Sequence, residues 1–191
     1  MAHPLQTRTR LLDAAEGLFF RNGISVSGVD AVAAEAGVSV VTLYKHFSSK
    51  DNLLREVLVR RLDAWIEHWD AAIEAAASPA DRLLAVFDAV ESFRAAAGRT
   101  QWCCFLATAS ERPAPARGVS DRVHELVEQD TRLVSERLEE LARAAGHRDA
   151  AAVAATLLVL YNGVLASLLR GRPEDPLNHA RAAARAYLAV S

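Results

Sequence analysis

The fold of the N-terminal part of this chain is decided by residues 32–47, which read VAAEAGVSVVTLYKHF. The stretch holds the end of one short helical pattern and the whole of another, with Gly37 between them. Glycine adopts backbone conformations that a side chain resists, and Ser39 can cap the helix that follows it. Two short helices joined by such a corner predict a helix-turn-helix, whose second helix enters the major groove of DNA.

Helical periodicity extends along the rest of the chain. Apolar residues recur every three or four positions, and the runs are bounded by capping residues, glycine or proline. These patterns predict nine helices and no strand, at about residues 8–21, 28–36, 40–46, 50–73, 79–97, 101–110, 120–145, 149–170 and 176–190. The predicted fold is all-α: a helix-turn-helix domain at 1–48, and a long fourth helix that opens a second helical domain at 49–191.

The composition favours a packed helical protein over a disordered or membrane protein. Apolar residues make up 51% of the chain, with only nine glycines and six prolines. The longest apolar run, Ala150 to Leu160, is shorter than the roughly 18 to 20 residues that cross a bilayer. Arg8, Arg10 and Asp13 interrupt any signal-peptide core near the N-terminus. We therefore predict a cytoplasmic protein with no membrane contact.

Charge and cysteine content exclude little by themselves. The net charge of −2 does not indicate a nucleic-acid binder, so a DNA-binding function must rest on local pattern. Cys103 and Cys104 are adjacent, and neighbouring cysteines rarely bridge each other because the geometry is strained. We predict two reduced thiols. Histidines are scattered without metal-ligand spacing, so neither a metal nor a cofactor is predicted.

Several segments of the first 60 residues resemble the DNA-binding domain of the TetR family of transcriptional regulators. They read LLDAAEGLF at 11–19, NG at 22–23, VAAEAGVS at 32–39, TLYKHF at 42–47 and SKDNLL at 49–54. The resemblance covers about residues 8–58 without a gap. It implies a homodimeric, all-helical regulator that binds operator DNA through the helix-turn-helix and a ligand through its C-terminal domain.

The second helix of the motif carries the predicted base contacts. Leu43 and Phe47 take the core positions of this helix, which leaves Val40, Val41 and Thr42 on its exposed side. Val41 and the Thr42 methyl can touch a thymine methyl, and the Thr42 hydroxyl can bond a base edge or a phosphate. Two valines stand where the family usually has a small or charged residue, which leaves the base preference open.

Phosphate contacts are predicted next to these positions. Tyr44 and His46 belong to a Tyr-x-His-Phe pattern of the family, which implies contacts to the DNA backbone through their polar tips. Lys45 adds a cation, and Lys50 lies where the start of a helix can also meet a phosphate. The full set of predicted DNA-contacting residues is Ser27, Gly28, Val40, Val41, Thr42, Tyr44, Lys45, His46 and Lys50.

Each predicted contact has a structural alternative. Ser27 and Gly28, at the start of the first helix of the motif, could offer a further N–H contact. Tyr44 could be a core aromatic, and the two lysines and the histidine could be solvated surface groups. Arg8 and Arg10 could reach the minor groove or the DNA backbone, or they could lie in a disordered tail.

The segment WCCFLATASE, at 102–111, resembles a motif of one TetR subgroup in which Gly-Cys-x-Phe precedes small residues and a glutamate. Trp102 stands where glycine is usual in that subgroup, and Cys104 stands where proline is common. In the family the sixth helix transmits ligand binding to the DNA-binding heads. The resemblance therefore implies that this segment lies near the ligand pocket and the hinge.

The predicted effector is a small, largely apolar molecule, because a pocket in a helical bundle has apolar walls and a few polar anchors. The candidate walls are Trp65, Trp69, Phe87, Phe93, Trp102, Phe105 and Tyr161, and the candidate anchors are Cys103, Thr108 and Asn162. For each aromatic residue, plain core packing is the alternative. Cys103 could be a redox sensor or a small buried hydrophobe.

The last two helices share an apolar stripe that predicts a homodimer. Its members are Val153, Leu157, Leu158, Leu160, Tyr161, Val164, Leu165, Leu168, Ala183, Ala186, Tyr187 and Val190. A two-fold four-helix interface would bury this stripe and set the spacing of two DNA-binding heads. The alternative is that the stripe packs only the core of one chain. Dimerisation is favoured because a lone head has too few cations for tight binding.

The sequence thus predicts a DNA-binding transcriptional regulator, a repressor released from operator DNA by its effector, and not an enzyme. Repression follows from the family resemblance. Ligand binding would favour a dimer conformation whose heads no longer match the two half-sites. The alternative is a helical thiol enzyme or ligand carrier that uses Cys103. It is disfavoured because the sequence offers no phosphate loop, no nucleophile elbow and no paired carboxylates on one face.

Overall fold

The computed structural model describes residues 4–97 and 103–190, and within these ranges all the regular structure is helical. The helices are α1 (Pro4–Asn22), α2 (Val29–Glu35), α3 (Val40–His46), α4 (Lys50–Ala75), α5 (Pro79–Ala97), α6 (Cys104–Glu111), α7 (Arg122–Ala144), α8 (Ala150–Arg170) and α9 (Pro176–Leu188). The predicted all-α class and the predicted order of helices are confirmed.

Side-chain caps explain the helix starts that the sequence predicts correctly. The helix α3 has its predicted bounds because the Ser39 hydroxyl accepts the backbone N–H of Thr42 at 3.1 Å. At the start of α5, Ser78 accepts the N–H of Asp81 at 3.1 Å and donates its hydroxyl to the Asp81 carboxylate at 2.6 Å. Each cap satisfies a backbone donor that the first turn of a helix leaves free.

The helices α6 and α7 both start later than predicted. The helix α6 begins at Cys104, later than the predicted start near residue 101. The helix α7 begins at Arg122 because Asp121, and not Ser120, acts as its cap. The Asp121 carboxylate accepts the N–H groups of Val123 and His124 at 2.9 and 3.2 Å. An acid is a strong N-cap, so the helix starts after it.

The chain forms two compact units. The first comprises Met1–Leu62 and Cys103–Glu128, and the second comprises Asp63–Trp102 and Gln129–Ser191. This division differs from the predicted boundary after residue 48. The first half of α4, all of α6 and the start of α7 belong with the helix-turn-helix, so the first unit is larger than a three-helix head.

The core of the first unit packs α2 against both α1 and α3. Its deeply buried side chains come from four helices and from the residue after α3, and they include Leu11, Ala15, Phe19, Val32, Leu43, Phe47, Leu53, Leu54, Val57 and Leu58. Ion pairs of Arg60 with Asp13 at 2.6 Å and with Glu16 at 2.5 Å join α4 to α1. The orientation of α3 is therefore fixed from within the unit by apolar packing.

In the second unit, α9 packs against α8 and α5. One side of α5 is almost wholly buried, with Leu83, Ala85, Val86, Phe87 and Ala89 all inaccessible to solvent. Arg181 of α9 donates hydrogen bonds to Asp88 and to Glu91 of α5, the latter at 2.9 Å. The pairing of α9 with α5 thus combines apolar burial with a charged contact at its edge.

The helix α8 corrects the expectation that no segment is apolar and long enough to cross a membrane. By length and composition, Ala150–Arg170 meets that test, and 33% of the apolar stretch is buried in the chain. Asn162 and Gly163 lie within this helix and are both uncharged, so the stretch still meets the test. A core helix of a globular protein passes the same test, so the finding is weak support for a membrane span.

Candidate functional site

The corner between α2 and α3 depends on Gly37. This residue has φ = +65°, in the left-handed region that residues with a Cβ rarely adopt. Its N–H donates to the carbonyl of Ala34 at 3.0 Å, and the N–H of Val38 donates to the carbonyl of Ala33 at 2.9 Å. These bonds close the end of α2 and allow the chain to turn directly into α3.

The inner and outer faces of α3 are clearly divided. Leu43 on α3 and Phe47 just after it are buried, with 0% and 1% of their surface exposed. Val41 is 67% exposed and Tyr44 is 49% exposed. Large apolar side chains at the surface of a recognition helix suit contact with thymine methyl groups and deoxyribose. The predicted base-contacting residues therefore lie on the open face.

Val40 and Thr42 complete this face close to the start of α3. Val40 is exposed, and Thr42 is half-buried. The Thr42 hydroxyl lies 2.9 Å from the Ser39 hydroxyl, and either oxygen can donate in that contact. Thr42 thus shares its polar atom with the cap of its own helix, while its methyl group remains available for an apolar contact.

Lys45 and His46 lie at the end of the same helix. Lys45 is exposed. His46 is half-buried, and its ring lies 6.4 Å from the ring of Phe47. The exposure of Tyr44 excludes the alternative that it is a core aromatic in this chain. A cation, a phenol and an imidazole therefore lie near one another in the sequence at the accessible end of α3.

Lys50 occupies a different environment from the one predicted. Its ammonium group donates to the carbonyl of Ile24 at 2.5 Å and lies 3.4 Å from the carbonyl of Ser25. The same group sits 5.7 Å above the ring of Phe19. Its charge is therefore directed toward the connection between α1 and α2, where it stabilises backbone carbonyls.

Ser27 also has a role inside the protein. Its side chain is buried, and its hydroxyl lies 2.7 Å from the carbonyl of Gly23 and 3.1 Å from that of Leu18. Gly28 is the N-cap of α2 and forms no side-chain cap. The contact of Ser27 to DNA stays a prediction, and its hydroxyl is already engaged by two backbone carbonyls.

Arg8 and Arg10 belong to α1 and not to a disordered tail. Arg8 pairs with Glu56 at 2.6 Å, and its guanidinium lies 5.2 Å from the centre of the Phe47 ring. Arg10 is exposed on the same helix. The tail interpretation was wrong because α1 starts at Pro4, earlier than the predicted residue 8. Proline is well suited to the first helical position, which sets this start.

Four of the predicted wall residues form one aromatic cluster in the second unit. The ring of Trp65 lies 5.6 Å from that of Trp69, 5.8 Å from that of Phe93 and 5.8 Å from that of Tyr161. Phe87 is also in this unit and is fully buried. We refer to Trp65, Trp69, Phe93 and Tyr161 as the aromatic cluster.

The other predicted ligand-binding residues that the structure describes lie on α6, just before it, and on α8. Phe105, Cys103 and Thr108 belong to the first compact unit. The Thr108 hydroxyl is buried and donates to the carbonyl of Cys104 within its own helix at 2.7 Å. Asn162 is exposed on α8. Trp102 lies outside the described residues.

Cys103 and Cys104 are both thiols in the structure: Cys103 is half-buried and Cys104 is buried. Because a buried thiol behaves as a small hydrophobe, the packing interpretation fits Cys104. The half-buried Cys103 precedes the first turn of α6.

Comparison with known proteins decides the family. The family model described as bacterial regulatory proteins, tetR family, matches residues 11–57, which span α1 to the first part of α4. A TetR-transcriptional regulator from Streptomyces avermitilis is 30% identical over 94% of this chain and 98% of that chain, with a TM-score of 0.69. This chain belongs to the TetR family.

Other members support the same assignment. A TetR-family transcriptional regulator from Streptomyces coelicolor has a TM-score of 0.85 and 27% identity, over 96% of this chain and 89% of that chain. In Mycolicibacterium smegmatis, the HTH-type transcriptional repressor KstR2 is 32% identical over 47% of this chain and 46% of its own length. The activator FasR of the same organism is 36% identical over 46% of this chain and 40% of its own length. The chain thus spans less than half the length of these curated relatives.

In this TetR-family chain, one group of contacting residues had no predicted role. The Glu111 carboxylate, at the end of α6, accepts the backbone N–H groups of Ile24 at 3.1 Å and Ser25 at 2.8 Å. Burial alone would raise the pKa of Glu111. The two backbone hydrogen bonds and the nearby charge of Lys50 outweigh it, so the pKa of Glu111 lies below its usual value.

Arg112 extends this group toward α4 and α7. Its guanidinium contacts both oxygens of Asp51, at 2.8 and 3.1 Å, and one oxygen of Asp121 at 2.9 Å. The hydrogen bond from Arg112 holds the pKa of Asp121 below its usual value, although burial opposes this. We refer to Lys50, Asp51, Glu111, Arg112 and Asp121 as the Glu111 cluster. It ties the end of α6 to the connection between α1 and α2 and to α4.

No pattern in the sequence pairs the members of the Glu111 cluster. Glu111 is 86 and 87 residues from its two backbone partners. Glu111 was recognised only as the last residue of the segment at 102–111. Helical periodicity relates residues three or four positions apart, so it cannot reveal contacts between residues this far apart in the sequence. A surface position for Lys50 was expected, and its engagement with carbonyl groups was missed for the same reason.

Proposed function

We propose that this TetR-family chain is a sequence-specific DNA-binding transcriptional regulator that acts as a repressor. The observation that carries the proposal is the division of α3. Leu43 and Phe47 fix the helix in the core, while Val41 and Tyr44 stand exposed. A helix held in this way presents side chains to the major groove at little entropic cost, because the core sets its orientation before DNA arrives.

Base readout is assigned to the start of α3 and phosphate contact to its end. Val40, Val41 and the Thr42 methyl favour contacts with thymine methyl groups. Lys45 supplies a free cation, and the Tyr44 hydroxyl supplies a polar tip at the surface. Lys50 is better suited to holding the α1–α2 connection than to binding a phosphate, because its ammonium group already meets two carbonyls.

The proposed partner of each chain is a second copy. The helix α8 packs on α9 yet leaves Val159 71% exposed and Leu169 48% exposed. An isologous four-helix interface through α8 and α9 would cover these side chains. It would also place two recognition helices on one duplex, and two heads double the phosphate contacts that supply most of the affinity.

The proposed signal is a small, largely apolar effector bound in the second unit, where the aromatic cluster lies. Effector binding would favour a dimer conformation in which the two heads no longer match their half-sites. Inside the first unit, α6 is coupled to the connection between α1 and α2, because the Glu111 carboxylate accepts the backbone N–H groups of Ile24 and Ser25. A cytoplasmic location is part of this proposal.

In vitro selection from a library of random duplexes tests the proposed function. Two-fold symmetry predicts a near-palindromic site with half-sites about 34–36 Å apart, or a multiple of that spacing. The variant Thr42→Ala is expected to select a different base at one position in each half-site. Thr9→Ala, which removes an exposed hydroxyl from α1, should select the original sequence. Recovery of unrelated sequences with no common site would contradict sequence-specific binding.

A further inference from the structure

The aromatic cluster contains two polar atoms that the fold does not satisfy. Trp65 and Trp69 lie on successive turns of α4, and they are 5% and 0% exposed. The indole Nε1 atoms of both residues are buried and have no hydrogen-bond partner within residues 4–97 and 103–190. An indole N–H can only donate. A buried donor without an acceptor costs the desolvation of that group, so such groups are rare and call for an explanation.

The neighbouring side chains do not provide a full acceptor. Phe93 meets Trp65 edge to face, with an angle of 78° between the rings, and an aromatic face is only a weak acceptor. The guanidinium of Arg137 lies 4.7 Å from the centre of the Trp69 ring. Arginine has donors but no acceptor, and this one is already paired with Asp70. Neither indole N–H group therefore has an acceptor among the residues that the structure describes.

We propose that the effector carries a hydrogen-bond acceptor oxygen on an uncharged ring scaffold, and that the indole N–H groups of Trp65 and Trp69 donate to this oxygen. The inference rests on the proposed function, since it assigns a chemical class to the effector. The ring scaffold would stack on aromatic faces that come from α4, α5 and α8. A ketone or lactone carbonyl fits the requirement.

Charge on this side of the unit argues for a neutral ligand. The cation that packs on the cluster, Arg137, is matched by Asp70. An anionic ligand would therefore meet a cation that is already in use.

Matched pairs of ketones and hydrocarbons test this inference by calorimetric titration of the full-length protein. The probes are 1-indanone with indane, 1-tetralone with tetralin, and 9-fluorenone with fluorene. In each pair a carbonyl replaces a methylene, while the ring shape is kept. We expect at least one ketone to bind about tenfold more tightly than its hydrocarbon, since a net hydrogen bond contributes about that factor.

Variants assign the preference to the indole groups. Trp65→Phe and Trp69→Phe remove the donors and keep an aromatic ring, so each should reduce the ketone-to-hydrocarbon ratio toward one while hydrocarbon binding persists. Phe93→Leu is the control: it removes a ring but no donor, so it should weaken both members of a pair and leave the ratio unchanged. Equal affinities within every pair, or a ratio that survives both tryptophan variants, would overturn the proposal.

Two further measurements keep the outcome decisive. In protein labelled with 15N-tryptophan, a bound ketone should move two indole N–H signals downfield, and the matching hydrocarbon should not. This measurement uses the parent protein, so it does not depend on the folding of a variant.

Operator binding by the same preparation separates the proposed effector class from the proposed function. Failure of all three ketones to bind, by a protein that still binds operator DNA, overturns the effector class alone. Ketone binding without any operator binding overturns the proposed function.

Discussion

At the scale of single residues, two lysines close in sequence have contrasting surroundings. Lys45 is exposed at the end of α3, whereas Lys50 donates to the carbonyls of Ile24 and Ser25. The sequence assigned both to phosphate contact, because a lysine near a helix-turn-helix is typical of that role. Only the folded chain distinguishes them, since the partners of Lys50 come from a connection about 25 residues away.

The first prediction uses each lysine as the control for the other. Lys45→Ala should lower the slope of log affinity against log salt by about one unit for each head that makes the contact, with the melting temperature unchanged. Lys50→Ala should cost about 1–3 kcal/mol of stability, because it leaves a buried carbonyl acceptor without its charged donor. A Lys50 variant with unchanged stability and a reduced salt slope would restore its phosphate role.

Asp130 leads to a second prediction at this scale. It is half-buried on α7, one turn before the buried Val134, and desolvation raises its pKa to about 7, from an ordinary value of 3.8. The folded chain thus holds an extra proton between about pH 4 and pH 7. Because the folded state binds more protons than the unfolded state in this window, this group's contribution to stability falls as pH rises through it.

Replacing this acid should therefore flatten the pH dependence. Asp130→Asn should be more stable than the parent by about 2–4 kcal/mol at pH 8, and nearly equal to it at pH 4.5. Urea unfolding at both pH values measures this. Asp63→Asn changes an exposed acid on α4 and should show no such difference. If Asp130→Asn gives the same change at both pH values, the carboxyl group ionises normally in the folded chain.

At the scale of helices, the sequence predicted helix bounds best where the capping and buried residues that set them lie within or next to the same helix. The bounds of α3 followed from the Ser39 cap at one end and the buried Leu43 and Phe47 toward the other. The start of α7 was less well predicted, because Ser120 and Asp121 both cap helices and only the fold selects Asp121. The contacts at the end of α6 were not predicted, because the partners of Glu111 lie in a distant segment of the sequence.

The Glu111 cluster gives the prediction that belongs to this scale. The pKa of Glu111 is below its ordinary value of 4.5 in the folded chain. Its stabilising contribution is therefore present above that value and is lost as pH falls through the folded pKa. Glu111→Gln should cost about 1–2 kcal/mol at pH 7, and the difference from the parent should shrink in acid.

Chemical denaturation at pH 7 and pH 3.5 checks this expectation. Glu136→Gln is the matched control, because Glu136 is exposed on α7 and the same change there should leave stability within about 0.5 kcal/mol. A loss of stability in Glu111→Gln that stays constant with pH would mean that its ionised carboxylate does not hold the α1–α2 connection.

At the scale of the whole molecule, the fold class and family followed from the first 60 residues together with the helical periodicity. The division into two units did not, because it depends on α6 and the start of α7 packing with the helix-turn-helix. The aromatic cluster was predicted in part: Trp65, Trp69, Phe93 and Tyr161 meet, while Asn162 is exposed. Periodicity identifies a buried face but cannot decide which buried faces meet.

The proposed dimer predicts that affinity for DNA depends on α8. Val159→Glu places a charge on an exposed apolar position of that helix, so it should leave the chain folded but shift it to monomers and weaken operator binding at least tenfold. Sedimentation together with a binding titration measures both effects. Glu substituted for the exposed Ala151 is the control at the start of the same helix. A monomeric parent protein with full operator affinity would contradict the dimer.

The most direct test of DNA recognition is fluorescence anisotropy of the purified dimer on duplexes tiling the region upstream of its own gene. The titrations include random DNA as competitor, a salt series and prior removal of bound small molecules. The account predicts tight, salt-sensitive binding to one near-palindromic duplex, and a loss of that preference when Val41 and Thr42 are replaced by alanine. Binding to every duplex with equal affinity, or an unchanged preference in the α3 variant, would contradict recognition through α3.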